Sequence, residues 1–234
     1  MSVRQSSNVG FMTETEHPEG HSASSRSQLV YSRLKELIRT RALKPGQRIR
    51  EAEIAELIQV SRTPVREAMN RLISEGLLAL TATRGFVVAE LDKQQVIELY
   101  ALREVMEGAS ARLAAQHASS HELIALGDLL DEGQKIAHNE FDRHAILNRQ
   151  FHSRISEAAH NRYLKKALDL LSESLMLVPG TTYEAPGRLA EVFVEHKAIL
   201  DAMVARDPEL AERTAREHIR NAGSVRLRLL FGRF

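Results

Sequence analysis

Val60-Ser61-Arg62-Thr63-Pro64-Val65-Arg66-Glu67-Ala68, followed by Thr83-Arg84-Gly85-Phe86-Val87-Val88, reads as the start of a helix and then the turn and second strand of a β-hairpin. Short polar and cationic side chains gather where a helix would begin, and apolar ones follow at helical spacing. Ser61 suits an N-cap, and Pro64 falls in the first turn, where a missing N–H is harmless. The spacing predicts a helix from Arg62 to Ser74 with Val65, Met69, Leu72 and Ile73 inward, ended by a left-handed Gly76.

Upstream, Val30, Leu34, Leu37 and Ile38 keep helical spacing between Leu29 and Arg41, and Lys44-Pro45-Gly46 stops that helix. A second short helix is predicted over Glu51–Ile58, with Ile54, Leu57 and Ile58 inward. Downstream, Leu77–Leu80 and Phe86–Ala89 read as two strands around a turn at Thr81–Gly85. Three helices and a β-hairpin make a winged helix-turn-helix over residues 27–91.

In that motif the first residues of the second helix of the pair reach base edges in the major groove. Ser61, Arg62, Thr63 and Arg66 hold those positions. Arg62 and Arg66 lie one turn apart and face the duplex together, while Val65 and Met69 face the core. Arginine forks onto guanine O6 and N7; Ser and Thr more often hold phosphate. Arg84 at the wing tip is placed for the minor groove, and Gly85 permits close backbone approach there. An isolated arginine is usually a solvated surface charge; two at the head of one helix with a wing behind them point to DNA.

Charge agrees with that placement. Residues 27–91 carry 11 Lys and Arg against 7 Asp and Glu, while 92–234 carry 19 against 21, so the basic excess lies with the motif. The excess is too small for a protein that coats DNA without sequence choice. With no cysteine in the chain, disulfides, zinc-thiolate sites and Cys nucleophiles are excluded, as a reducing cytoplasm would suit. No apolar run approaches the ~20 residues of a membrane helix, and no secretory signal is evident. Residues 1–26, rich in Ser, Glu, Gly and His, are expected to form a disordered tail, and Met12 is an alternative start.

Asp92-Lys93-Gln94-Gln95 resembles a capping box, and helical periodicity then runs almost unbroken to Phe234. Helices are predicted near 93–117, 120–138, 141–159, 162–178, 188–206 and 208–231, the last opened by Asp207-Pro208-Glu209. The second domain, 92–234, is therefore an all-α bundle.

Within it, Asn148 and His152 stand four apart on one helix face, and His196 and His218 lie on two later helices. Imidazoles suit Zn²⁺, Ni²⁺ or similar ions, with an open position for a small anion. Histidines hydrogen-bonded inside a core give the same pattern, and His144, one turn before Asn148, competes as a ligand.

The segments Leu43-Lys44-Pro45-Gly46-Gln47-Arg48-Ile49, Ser61 to Ala68, Leu72, Glu75-Gly76-Leu77 and Arg84-Gly85 resemble the GntR family of repressors over about residues 27–91. Two departures are Gln59, where the family often has a turn Gly, and Ala52, where some members place a DNA-contacting Arg. The 92–234 segment is similar to the FCD effector domain. That resemblance implies a divalent metal, Zn or Ni, held at Asn148, His152, His196 and His218. Asn148 stands where Asp is more usual, so affinity falls and the site fills only in part. It further implies a small carboxylate effector clamped by Arg103, with Tyr100 and Asn221 lining the pocket. A surface pair of Arg103 with Glu107 is the competing reading. The partners implied are a palindromic duplex operator and a second copy of the chain, with no membrane. A metal-dependent hydrolase built on the histidines is the rival, but no general base stands beside them: Glu195, next to His196, is expected to point elsewhere.

Overall fold

The computed structural model describes residues 19–83 and 85–232. The winged unit comprises α1 (Glu19–Arg39), α2 (Glu51–Ile58), α3 (Arg62–Ser74), β1 (Leu78–Thr81) and β2 (Gly85–Val88). The bundle comprises α4 (Lys93–His117), α5 (Ser120–Gln134), α6 (Phe141–Ala158), α7 (Arg162–Leu175), α8 (Arg188–Val204) and α9 (Pro208–Phe231), with a 3-10 turn at Thr182–Glu184. No helix is long and apolar enough to cross a membrane among the described residues.

The winged core is Val30, Leu34, Ile38, Ile54, Val65, Met69, Leu72, Leu77 and Val88, all buried. Leu57 is not part of it: at 61% exposure it lies on the outside of α2, whose short inner face is used up by Ile54 and Ala55. The left-handed Gly76 (φ 76°) turns the chain out of α3, with Leu77 N–H returned to Leu72 O at 2.9 Å. Ser61 occupies the N-cap of α3 in extended conformation, yet its hydroxyl makes no capping bond. Gln59 adopts the left-handed conformation (φ 59°) that the turn between α2 and α3 demands, without the glycine.

β1 and β2 pair antiparallel, Leu78 with Val88 through Thr81 with Gly85, one residue on from the expected first strand and one back for the second. A third segment joins them. Arg48 bridges Val87, Ile49 N–H reaches Phe86 O at 2.9 Å, and Val88 N–H reaches Gln47 O at 2.9 Å. Helix α1 starts at Glu19, inside the segment expected to be a tail, while the rest of that segment, Met12 included, lies outside the described residues.

Caps in the bundle follow the sequence. Asp92 accepts from Gln95 N–H at 2.8 Å while Gln95 returns its amide oxygen to Asp92 N–H at 2.9 Å. Asp207 caps α9 through Leu210 N–H at 2.9 Å, with Pro208 in its first turn. Helices α4 and α9 approach closely because Gly108 and Gly223 leave room: a Cβ on Gly223 would sit 3.0 Å from the Tyr100 ring. Helix α7 ends earlier than expected. Bonds from Met176, Leu177 and Val178 N–H to carbonyls three residues back tighten the chain after Leu175. The tightened segment spans both units: Val178 stays in the bundle core beside Val96, Leu99 and Ile219, while Leu177 (2% exposed) is buried in the winged core. Arg41 anchors it further, donating to Gly180 O at 2.6 Å and Val178 O at 3.3 Å. Lys35 of α1 pairs with Glu173 of α7.

Candidate nucleic-acid interface and histidine site

At the head of α3, Pro64 and Val65 are buried and Ser61, Arg62 and Thr63 are exposed. The 3.6-residue repeat thus splits the helix as the sequence implies. The exposed tip is also the positive end of the helix dipole, which favours an anion there. Arg66 is 64% exposed and forks onto Glu51 of α2, Nε to Oε1 at 2.9 Å and Nη2 to Oε2 at 2.8 Å. Gly85, left-handed at φ 70°, lies at the wing turn. Arg84 lies outside the described residues.

In the bundle, α6, α8 and α9 bring His152, His196 and His218 together, with one nitrogen of each within 4.8 Å of the others. His196 is 4% exposed, His218 3% and the His152 side chain 11%. Two carboxylates hold the outer nitrogens. His152 Nδ1 lies 3.0 Å from Glu107 Oε2, and His218 Nδ1 lies 2.7 Å from Glu195 Oε2. A carboxylate accepts only, so each Nδ1 donates to its carboxylate and each Nε2 is turned to the cluster. Those two Nε2 atoms face each other at 3.3 Å, and the Nε2 of His196 is buried with no partner. Three imidazoles converging within 4.8 Å are a donor set that suits a cation, and carboxylates on the outer nitrogens are its usual support.

Charges around the site are strongly coupled. Burial alone would raise the Glu107 carboxyl, but His152 and Arg103 outweigh it and hold it down to about 2. Burial likewise opposes ionisation of Glu195, yet hydrogen bonds from His218, Arg188 and Asn221 bring it to about 2. Burial pushes His218 down to about 4 despite the Glu195 bond, and pushes His196 well below its ordinary value.

Asn148 sits one turn before His152 and shares with His196 and Phe151 the lining of a small cavity, about 20 Å³. His144 is turned away from the cluster. Its Nε2 lies 3.2 Å from Ala137 O, and Tyr183 and Phe193 box it in, so it is a hydrogen-bonded core histidine. Arg103 pairs with Glu107 at 3.1 Å, but the pair is buried, 10% and 8% exposed, rather than on the surface. Tyr100 packs against Gly223, and Asn221 donates to Glu195 Oε1 at 2.8 Å. An open groove of about 630 Å³ between α8 and α9 is lined by Arg188, Glu195, Asn221, Ser224 and Arg228.

Glu195 corrects the sequence reading. It does leave the face of α8 that carries His196, but that direction meets α9 and therefore His218. Arg188, 2% exposed, forks onto the same carboxylate at 2.7 and 2.8 Å. Neither contact carries a sequence signal, because both depend on which helices pack together. Phe151, stacked on His196 at 4.3 Å, is likewise legible only as a core residue.

A winged helix with a basic, exposed recognition tip, joined to a helical bundle holding a buried polar site, defines a ligand-responsive DNA-binding regulator. The family described as bacterial regulatory proteins, gntR family, matches residues 26–88, and the FCD domain matches residues 98–221. The chain belongs to the gntR family, in the group that carries an FCD domain, and is a transcriptional regulator. It is 32% identical to the HTH-type transcriptional regulator YdhC of Bacillus subtilis, over 80% of this chain and 85% of that one. It is 33% identical to a probable D-xylose utilization operon transcriptional repressor of Paenarthrobacter nicotinovorans, over 74% and 76%. The solved structure of Escherichia coli McbR/YncC matches with a TM-score of 0.74 at 28% identity, covering 87% of this chain and 98% of that one. These relatives are regulators, which removes the hydrolase reading.

Proposed function

We propose that the chain is a homodimeric, sequence-specific repressor, acting in the cytoplasm on a palindromic operator and released by a small carboxylate bound in its helical domain. The observation that carries the DNA reading is the exposed tip of α3, where Ser61, Arg62, Thr63 and Arg66 stand together on the dipole's positive end. Gly85, at the wing turn, belongs to the same surface in this reading, and Arg84 is proposed as a DNA contact from the sequence alone. Loss of both arginines, Arg62→Ala with Arg66→Ala, is expected to abolish binding to a duplex selected from a random library. An unchanged gel shift would sink the reading.

His152, His196 and His218 fit a divalent transition metal, with the Asn148 oxygen at a fourth place; Zn²⁺ or Ni²⁺ suits such a donor set. When bound, the ion supplies a Lewis-acidic point for a carboxylate oxygen. Glu107 and Glu195 orient two of the imidazoles, and Asn221 holds Glu195 at the edge of the α8–α9 groove, where an acid would approach. Arg103 and Tyr100 support the wall behind Glu107 and α9 respectively.

Coupling to DNA binding rests on one connection. Glu195 grips Arg188 at the start of α8, and the segment before α8 is tied to the winged unit through Arg41 and Leu177. A ligand that favours one arrangement of that segment shifts the winged unit by its differential affinity alone. Elemental analysis of the purified protein, with thermal shifts for a panel of small acids before and after chelation, tests the metal and effector parts.

A further inference from the structure

The contact between Glu51 and Arg66 is unlike the other ion pairs on the winged surface. Arg39 and Arg50 pair locally, with acids three residues away at Glu36 and Glu53. Arg39 forks onto both oxygens of Glu36 through Nε and Nη2, but within α1; Arg66 makes the same fork across the turn, onto another helix. The exposures are unequal: Glu51 is 16% exposed and Arg66 64%. The acid is set into the surface and the base stands out from it. Glu51 is the first residue of α2, where the helix dipole favours a carboxylate. Its bond to Arg66, with Arg62 adding a nearby positive charge, keeps its carboxyl below the usual range.

A guanidinium held along its Nε–Nη2 edge keeps the N–H groups of its Nη1–Nη2 edge for another partner, and that edge matches guanine O6 and N7. A free arginine loses much rotamer freedom when it docks, whereas one already held in a fork loses less. The same carboxylate adds a negative charge at the DNA-facing surface, which weakens attraction to any phosphate backbone.

We infer that Glu51 is a positioning residue for sequence discrimination: it aims Arg66 at a base edge while lowering affinity for duplexes of arbitrary sequence. This rests on the reading of α3 as the recognition helix. Its signature is two effects of opposite sign, which loss of α2 structure would not produce.

The probe is a consensus duplex selected by the wild-type protein from a random library, with its single-base-pair variants and a scrambled duplex. Arg66→Ala identifies the base pair that Arg66 reads. Glu51→Ala is expected to lower preference at that base pair about tenfold and to raise affinity for the scrambled duplex about threefold. Glu51→Gln removes the same charge but keeps one acceptor, so the scrambled duplex gains equally and the preference falls less. Glu51→Asp keeps the charge and shortens the reach, so preference falls with no gain on the scrambled duplex. Thermal melts accompany each variant, and if Glu51→Ala does not fold, the Gln and Asp variants decide. Preference retained in the Glu51 variants but lost in Arg66→Ala overturns the inference alone. Uniform loss of affinity in Arg66→Ala, with no change of preference, makes Arg66 a phosphate contact and also overturns it. No effect of either arginine on any duplex overturns the recognition-helix reading itself.

Discussion

His218 shows how far one side chain is bent to the needs of its site. Its ring is buried, its outer nitrogen is committed to Glu195, and its proton affinity falls from the ordinary 6.5 to about 4. Between those values the unfolded chain takes up a proton that the folded one refuses, so stability falls as pH drops through that window. His196, lowered further, acts in the same direction. Glu107 and Glu195, held to about 2 against 4.5, add a loss as pH falls from 4.5 towards 2. Urea unfolding of the chelator-stripped protein at pH 7.5, 5 and 3 is therefore expected to show stepwise loss; equal stability at pH 7.5 and 5 would contradict it. Asn148 supplies an oxygen without a charge, and Asn148→Asp is expected to tighten divalent-metal binding at least about tenfold, read by competition with a chromogenic chelator. Gln59 carries left-handed strain that glycine does not, so Gln59→Gly is expected to stabilise the protein by about 0.5–1 kcal/mol in chemical denaturation.

Elements differ in how much of themselves they announce. Asp92, Ser119 and Asp207 each cap a helix through a neighbour three residues on, so the starts of α4, α5 and α9 were legible locally. The core face of α3 was legible for the same reason, since one helix's periodicity separates Val65 from Arg66. The bridging segment 47–49 was not, because a single bridge to Val87 leaves no alternation to read. The histidines were visible, but their carboxylates were not: Glu107 reaches His152 across α4 and α6, and Glu195 reaches His218 across α8 and α9. The end of α7 was misplaced because Leu177 serves the core of the other domain, and apolar spacing alone does not say which core a residue enters. Leu177→Ala is expected to cost about 2–5 kcal/mol and, combined with Arg41→Ala, to split thermal unfolding into two calorimetric transitions. A single unshifted transition would show that the two units are joined elsewhere.

At the scale of the whole molecule, the proposed second copy needs an apolar face. Leu102 and Val105 of α4 are 50% and 48% exposed, and Leu170 of α7, a helix packed on α4, is 56% exposed. Leu102→Glu with Val105→Glu is expected to give a monomer in sedimentation equilibrium and to weaken operator binding, since the two half-sites would no longer be held by one particle. A dimer that persists would place the seam on another face.

The bridge between Arg48 and Val87 also has a mechanical outcome. The segment stitched to the hairpin's inner edge runs directly into α2, so hairpin and helix pair travel as one rigid reading head. Such a head docks or lifts as a unit, and any signal from the bundle must change where it sits, not how its parts are spaced.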